Sequence, residues 1–154
     1  MKDDRNKIPI TILICDDDED DRMLTAQALE DAHVSNDIRF VADGEQLLDY
    51  LFQRGEYADQ TGTAPRPGLI LLDLNMPNMD GREALKLIKG EESLRDIPIV
   101  VLSTSGLEQD IVKSYQLGVN SFITKPVTFS GLVEAMNVLG RYWLEIVELP
   151  PTPQ

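Results

Sequence analysis

Five short apolar runs, at residues 11–15, 38–41, 69–72, 99–102 and 121–124, alternate along this chain with segments of helical spacing. Between the runs, Leu24 and Ala28 stand four apart, Leu47, Leu48 and Leu51 share a face, as do Ala84, Leu85 and Ile88, and Ile111 pairs with Tyr115. Strands that alternate with helices are joined by right-handed crossovers, which give a parallel sheet covered on both faces. The third and fourth runs are almost wholly apolar, as doubly covered central strands require. The expected fold is therefore a doubly wound α/β domain around a five-stranded parallel sheet of order 2-1-3-4-5. Asp43-Gly44 and Asp80-Gly81 are each expected to open a helix, and Gly118 to close one before the fifth strand. Residues 54–68, rich in Gly, Pro, Thr and Ala, read as a long surface loop. The domain is expected over residues 9–148, with a flexible N-terminus at 1–8 and a disordered tail at 149–154.

In such a sheet the loops that follow the strands all emerge on one edge, where ligands bind. Asp16 and Asp17 follow the first run, Asp73 ends the third, Ser103 ends the fourth and Lys125 follows the fifth. Five polar residues from four strands thus converge on one rim. Asp16 and Asp17 begin the run DDDEDD at 16–21, whose remaining acids, Asp18 to Asp21, read as an N-cap and first helical turn that complement the helix dipole. A calcium loop does not fit, because Asp21 stands at the glycine position and Gln27 at the bidentate-glutamate position.

Three crowded carboxylates repel one another unless a cation fills the gap. A hard, oxygen-liganded site suits Mg²⁺, one ion per chain, and no Cys/His cluster points to zinc. The lone His33 falls near the end of the first helix, away from the rim. A carboxylate, a divalent ion, an ammonium and a hydroxyl are the parts for phosphoryl transfer to an aspartate. Asp73 would be the nucleophile, with Lys125 and Ser103 holding the phosphoryl oxygens. An aspartate-nucleophile phosphatase would want a second acid two residues later, where Asn75 stands. A flavin phosphate would be repelled by the three acids.

Composition narrows the setting. The 154 residues are 42% hydrophobic and 27% charged, with a formal net charge of −13. That balance argues against a nucleic-acid or anionic-membrane partner. No apolar stretch has the length of a membrane span, and the first ten residues are too polar for a signal peptide, so a cytoplasmic protein is expected. The single Cys15 lies inside the first apolar run and reads as a buried thiol. Near the end, Leu132, Met136, Leu139, Trp143 and Ile146 recur at spacings of four, three, four and three, beside a second stripe that includes Leu144 and Val147. This surplus apolar surface makes the seven residues candidates for a homodimer contact, with a longer intrachain contact weighed equally.

These residues together resemble the receiver domain of two-component response regulators, the CheY-like member of the flavodoxin-like folds. Asp16-Asp17, the string LLDLNMPNMDG at 71–81, Ser103 in VVLSTS and Lys125-Pro126 carry the resemblance. It implies a response regulator phosphorylated on Asp73 by a sensor histidine kinase, and because only LPPTPQ follows the last helix a single-domain regulator with no output domain is expected. It also implies that Asp17, Asp73 and the backbone carbonyl of Asn75 ligate Mg²⁺, with Asp16 acting mostly through water. Lys125-Pro126 is expected to be a cis peptide. Ser103 and Phe122 would be the switch pair that reshapes the face of the fourth helix, fifth strand and last helix. The loop at 54–68 and the ending RYWLEIVELP are similar to single-domain regulators that accompany phytochrome-type kinases, notably in cyanobacteria. The competing reading is a receiver-like interaction module that is never phosphorylated.

Overall fold

Every residue of β1 (Thr11–Cys15) is buried, and alternate side chains enter different cores. Ile12 and Ile14 join Leu69, Leu71, Val100 and Leu102 on one face of the sheet. Leu13 and Cys15 join Ile70, Leu72, Ile99 and Val101 on the other. This period-two division of an uninterrupted apolar run is how a central strand serves two hydrophobic layers. The computed structural model describes residues 11–32, 37–58, 64–73, 81–103, 116, 118, 119, 121–126 and 128–141.

The sheet adds β2 (Asp37–Val41), β3 (Pro67–Leu72), β4 (Ile99–Ser103) and β5 (Ser121–Thr124), all parallel, in the order β2-β1-β3-β4-β5. The expected fold and strand order are both observed. Helix α1 (Glu19–Asp31) and the last helix, α4 (Phe129–Gly140), cover the first face, where Ala28, Leu29, Leu132, Met136 and Leu139 are buried. Helices α2 (Gly44–Phe52) and α3 (Gly81–Gly90) cover the second with Leu47, Leu48, Leu51, Ala84, Leu85 and Ile88. Burying each of these leucine, isoleucine and methionine side chains contributes about 1.5–3 kcal/mol against chain entropy.

Caps set the helix starts near the rim. Asp18 accepts from the backbone N–H groups of Asp20 and Asp21 to begin α1. Asp43 accepts from Gln46 N at 2.7 Å, and the Gln46 side chain accepts in return from Ala42 N at 2.7 Å. Thr128 Oγ1 accepts from Gly131 N at 3.0 Å and starts α4. Gly118 stands at φ +100 ahead of β5, in the left-handed region that glycine allows.

Three expectations need correction. Leu24 is 46% exposed, and the inner face of α1 is Thr25, Ala28 and Leu29. The stretch 54–68 is not wholly surface loop. It contains a 3₁₀ turn at Gly55–Tyr57, Ala64 is buried, and β3 already begins at Pro67. Tyr50 Oη donates to Pro65 O at 2.8 Å and Gln53 Nε2 to Ala64 O at 2.7 Å, which pins that segment to α2. Finally, Leu132, Met136 and Leu139 are 8%, 0% and 4% exposed within one chain, so they are core residues rather than homodimer contacts. Their stripe faces β1, β3 and β4, because a helix lying on a parallel sheet spends its apolar face there. Trp143, Leu144, Ile146 and Val147 lie outside the described residues, as do the helix expected around 111–115, His33 and both chain ends.

Candidate functional site

The rim acids are placed by backbone hydrogen bonds at the strand ends. Asp16 N donates to Val41 O at 3.1 Å, extending the β1–β2 ladder by one residue, and Asp73 N donates to Cys15 O at 2.9 Å from the β3 side. The second bond sets the residues after β1 and β3 next to each other, and the first fixes Asp16 against β2. Carboxylate oxygens of Asp16, Asp17 and Asp73 lie within 4.8 Å of one another, with Asp16 buried, Asp73 half-buried and Asp17 exposed. The depth gradient fits a cation that enters from solvent and meets hard oxygen donors.

Asp16 is held at several points. Its Oδ1 accepts from Asp18 N at 3.0 Å and its Oδ2 accepts from Lys125 Nζ at 2.8 Å. Arg22 Nη1 donates to the Asp16 carbonyl at 2.7 Å, so the backbone is held as well. With both carboxylate oxygens engaged, Asp16 is better suited to orienting its neighbours than to direct ligation.

Lys125 follows β5, and its position depends on the helix beyond. A Cβ built on Gly131 would come within 3.0 Å of Pro126 Cβ, so glycine there lets α4 close on the residue next to the lysine. The ammonium also meets Asp21 Oδ2 at 3.2 Å. Burial by itself would lower the Lys125 pKa, but hydrogen bonds and charge from Asp16, then Asp21 and the charge of Asp73, outweigh it and the net shift is upward. Lys125 therefore stays cationic. The Cys15 thiol reports the same field from beneath. Burial pushes its pKa up, and the charges of Asp43, Asp16 and Asp73 push it further. Its sulfur lies 3.6 Å from Asp43 O, an inert buried thiol as expected.

Of the residues singled out from sequence, Asp16, Asp17, Asp73 and Lys125 come together. Ser103 ends β4 opposite Thr124 of β5, on the same edge; its side chain lies outside the described residues. Asn75 also lies outside them. Phe122 pairs with Val101 and is partly buried against the core on the α2–α3 side. The Lys125–Pro126 bond is trans, since no described peptide bond is cis, which corrects the cis expectation. Trans is the ordinary preference of an X–Pro bond, by about 0.5–1 kcal/mol. The acid run alone gives Asp21 no role beyond the first helical turn. Its spacing shows more, because Asp21, Thr25 and Ala28 fall four and three apart on the inner face of α1.

The donor set, three carboxylates and no sulfur or imidazole, fits a hard divalent cation. Among the described residues no helix is long and apolar enough to cross a membrane. Comparison with known proteins identifies the family. The profile of the response regulator receiver domain matches residues 12–137. Response regulator Rcp1 of Synechocystis sp. is 39% identical over 150 residues, covering 97% of this chain and 99% of that protein. The structure of its Mn²⁺-bound form superposes with a TM-score of 0.83, at 39% identity, over 93% of this chain and 100% of that one. The phosphorylated cyanobacterial phytochrome response regulator RcpA gives a TM-score of 0.85 at 42% identity, over 94% of this chain and 100% of that one. The chain belongs to the response regulator receiver domain family, the signalling proteins of two-component systems.

Proposed function

We propose that this chain accepts a phosphoryl group on Asp73 from the phosphohistidine of a sensor kinase and passes the signal on by a change of shape. The carrying observation is the juxtaposition of Asp16, Asp17 and Asp73 with Lys125 on one edge of the sheet. An Asp73 carboxylate oxygen attacks phosphorus, the P–N bond to the histidine breaks, and the freed imidazole nitrogen keeps the electron pair and takes a proton from water. The product is an acyl phosphate on Asp73. Lys125 supplies positive charge beside the incoming oxygens. Mg²⁺ is the proposed ion, held by Asp17, Asp73 and the Asn75 carbonyl, and it would supply further positive charge against the phosphoryl oxygens. The chain would promote its own phosphorylation and dephosphorylation through these groups.

Phosphorylation adds about −1.5 to −2 charge and three acceptor oxygens. Ser103 at the end of β4 is the proposed hydroxyl that follows this charge, and Phe122 on the neighbouring strand the aromatic that turns with it. RcpA is a phytochrome response regulator, and similarity to it supports a phytochrome-type kinase as partner; a cytoplasmic location is proposed with it. Homodimer formation, now resting on Trp143, Leu144, Ile146 and Val147, is testable by sedimentation with and without a phosphoryl mimic. The central test is incubation with acetyl phosphate and Mg²⁺ followed by intact mass. A single phosphoryl addition is expected, suppressed by chelator and absent in Asp73→Asn. No addition in the unsubstituted protein would support the interaction-module reading instead.

A further inference from the structure

The acid run does more at this rim than hold a cation and cap a helix. Asp18 performs the capping, accepting from Asp20 N at 2.9 Å and Asp21 N at 3.2 Å. The Asp21 carboxylate, in the first turn of α1, instead reaches across to β5, with Oδ2 3.2 Å from Lys125 Nζ. Lys125 thus lies between two carboxylates of different depth, Asp16 with a side chain 5% exposed and Asp21 with one 40% exposed. Asp73 bears on the same ammonium through its charge.

To serve a phosphoryl group on Asp73, Nζ must spend at least one of its three donors on the new oxygens. Asp16 is buried, with each of its oxygens accepting a bond, so losing Lys125 would strand a desolvated carboxylate. Asp21 is better hydrated, and water can replace the lysine there at little cost. We propose that Asp21 is a positioning residue that draws Lys125 toward α1 and yields it when the phosphoryl group arrives, so that this side chain sets how readily the site fills. The proposal rests on the phosphoacceptor reading above and assigns a role to a residue outside the acid trio.

Asp21 also lies in a helical first turn, where any acid is favourable to the helix. Asp20→Asn removes the same charge from the same turn and serves as the control. Two measurements separate the possibilities: the initial rate of phosphoryl uptake from acetyl phosphate with Mg²⁺, and peptide-level acylation of Lys125 by acetic anhydride without metal or phosphodonor. In Asp21→Asn both are expected to rise about two- to fivefold, the range over which a half-exposed ion pair shifts an equilibrium. The difference narrows in high salt, because such a pair is screened. Asp21→Glu returns both toward the starting values, and Asp20→Asn leaves both unchanged. Unchanged Lys125 acylation in Asp21→Asn, or slower phosphoryl uptake, overturns the proposal. Should the unsubstituted protein take up no phosphoryl group, the phosphoacceptor reading falls and the exchange step with it. The acylation result then still upholds or overturns the hold of Asp21 on Lys125.

Discussion

The two ends of β1 and β2 treat acid in opposite ways. At the N-terminal end, Asp37 accepts from Thr11 Oγ1 at 3.1 Å and from Arg39 Nε at 3.1 Å, so its partners are a cross-strand neighbour and a residue two positions on. At the C-terminal end, Asp16, Asp17 and Asp73 crowd within 4.8 Å, and the ammonium that meets Asp16 arrives from 109 residues away. The first arrangement neutralises itself locally and leaves nothing for a ligand to do. Among the described residues the second remains short of positive charge, which is the condition for admitting a cation and then an anionic group. Acid content alone does not mark a site; acid that outnumbers its neighbouring cations does.

The contrast is broken or sharpened most strongly at Lys125. Lys125→Met leaves the buried Asp16 carboxylate without its ammonium and should cost about 3 kcal/mol or more in chelator, read from the urea midpoint. A loss below about 0.5 kcal/mol would mean the rim does not depend on its lysine. Next comes the cation. Mg²⁺ at a hundredfold excess over its dissociation constant should stabilise the protein by about 2.7 kcal/mol in thermal melts, and Asp17→Asn should remove most of that gain. In chelator the same Asp17→Asn should stabilise the protein by about 1 kcal/mol, because it relieves repulsion among the three acids.

Tyr50 belongs to the paired end. Burial first, then the charges of Asp37 and Tyr57, push its phenol up to about 12, while Arg39 pulls the other way. A raised folded-state pKa means that the folded protein holds this proton more tightly than the unfolded chain does. The corresponding stability is fully present below the ordinary phenol value near 10 and is lost as pH rises toward about 12. Tyr50→Phe should flatten that decline in a urea-midpoint series and, near neutral pH, cost about 1 kcal/mol for the bond to Pro65 O. The smallest effect is expected of Arg39→Gln. Its ion pair with Asp37 is exposed on both sides, so the urea midpoint should move by no more than about 0.5 kcal/mol.

The sheet was legible because buried strands must be apolar and their ends must be polar. The runs at 11–15 and 121–124 match β1 and β5 residue for residue. β2 begins one residue earlier than its apolar run, at Asp37, because backbone pairing with Thr11 does not ask for an apolar side chain. The rim followed from strand order, since parallel strands deliver their last residues to one edge. What a face meets was not legible. The stripe Leu132, Met136 and Leu139 is periodic whether it packs on a sheet or on a partner, and only the structure shows it against β1, β3 and β4. Leu24 failed for the reverse reason, because α1 turns Thr25 rather than the leucine inward. Asp21 was hidden by its neighbours, since a run of acids looks alike in sequence until one of them is seen to reach another strand.

That long-range ion pair has a consequence for how the chain becomes competent. All three rim acids are in place once β1 has paired with both β2 and β3, but their lysine is added only when β5 joins the outer flank of β4. A partly folded or still-emerging chain can therefore display the full anionic cluster while lacking its built-in countercharge. Docking of the final strand would be the event that turns a merely acidic surface into a competent receiver.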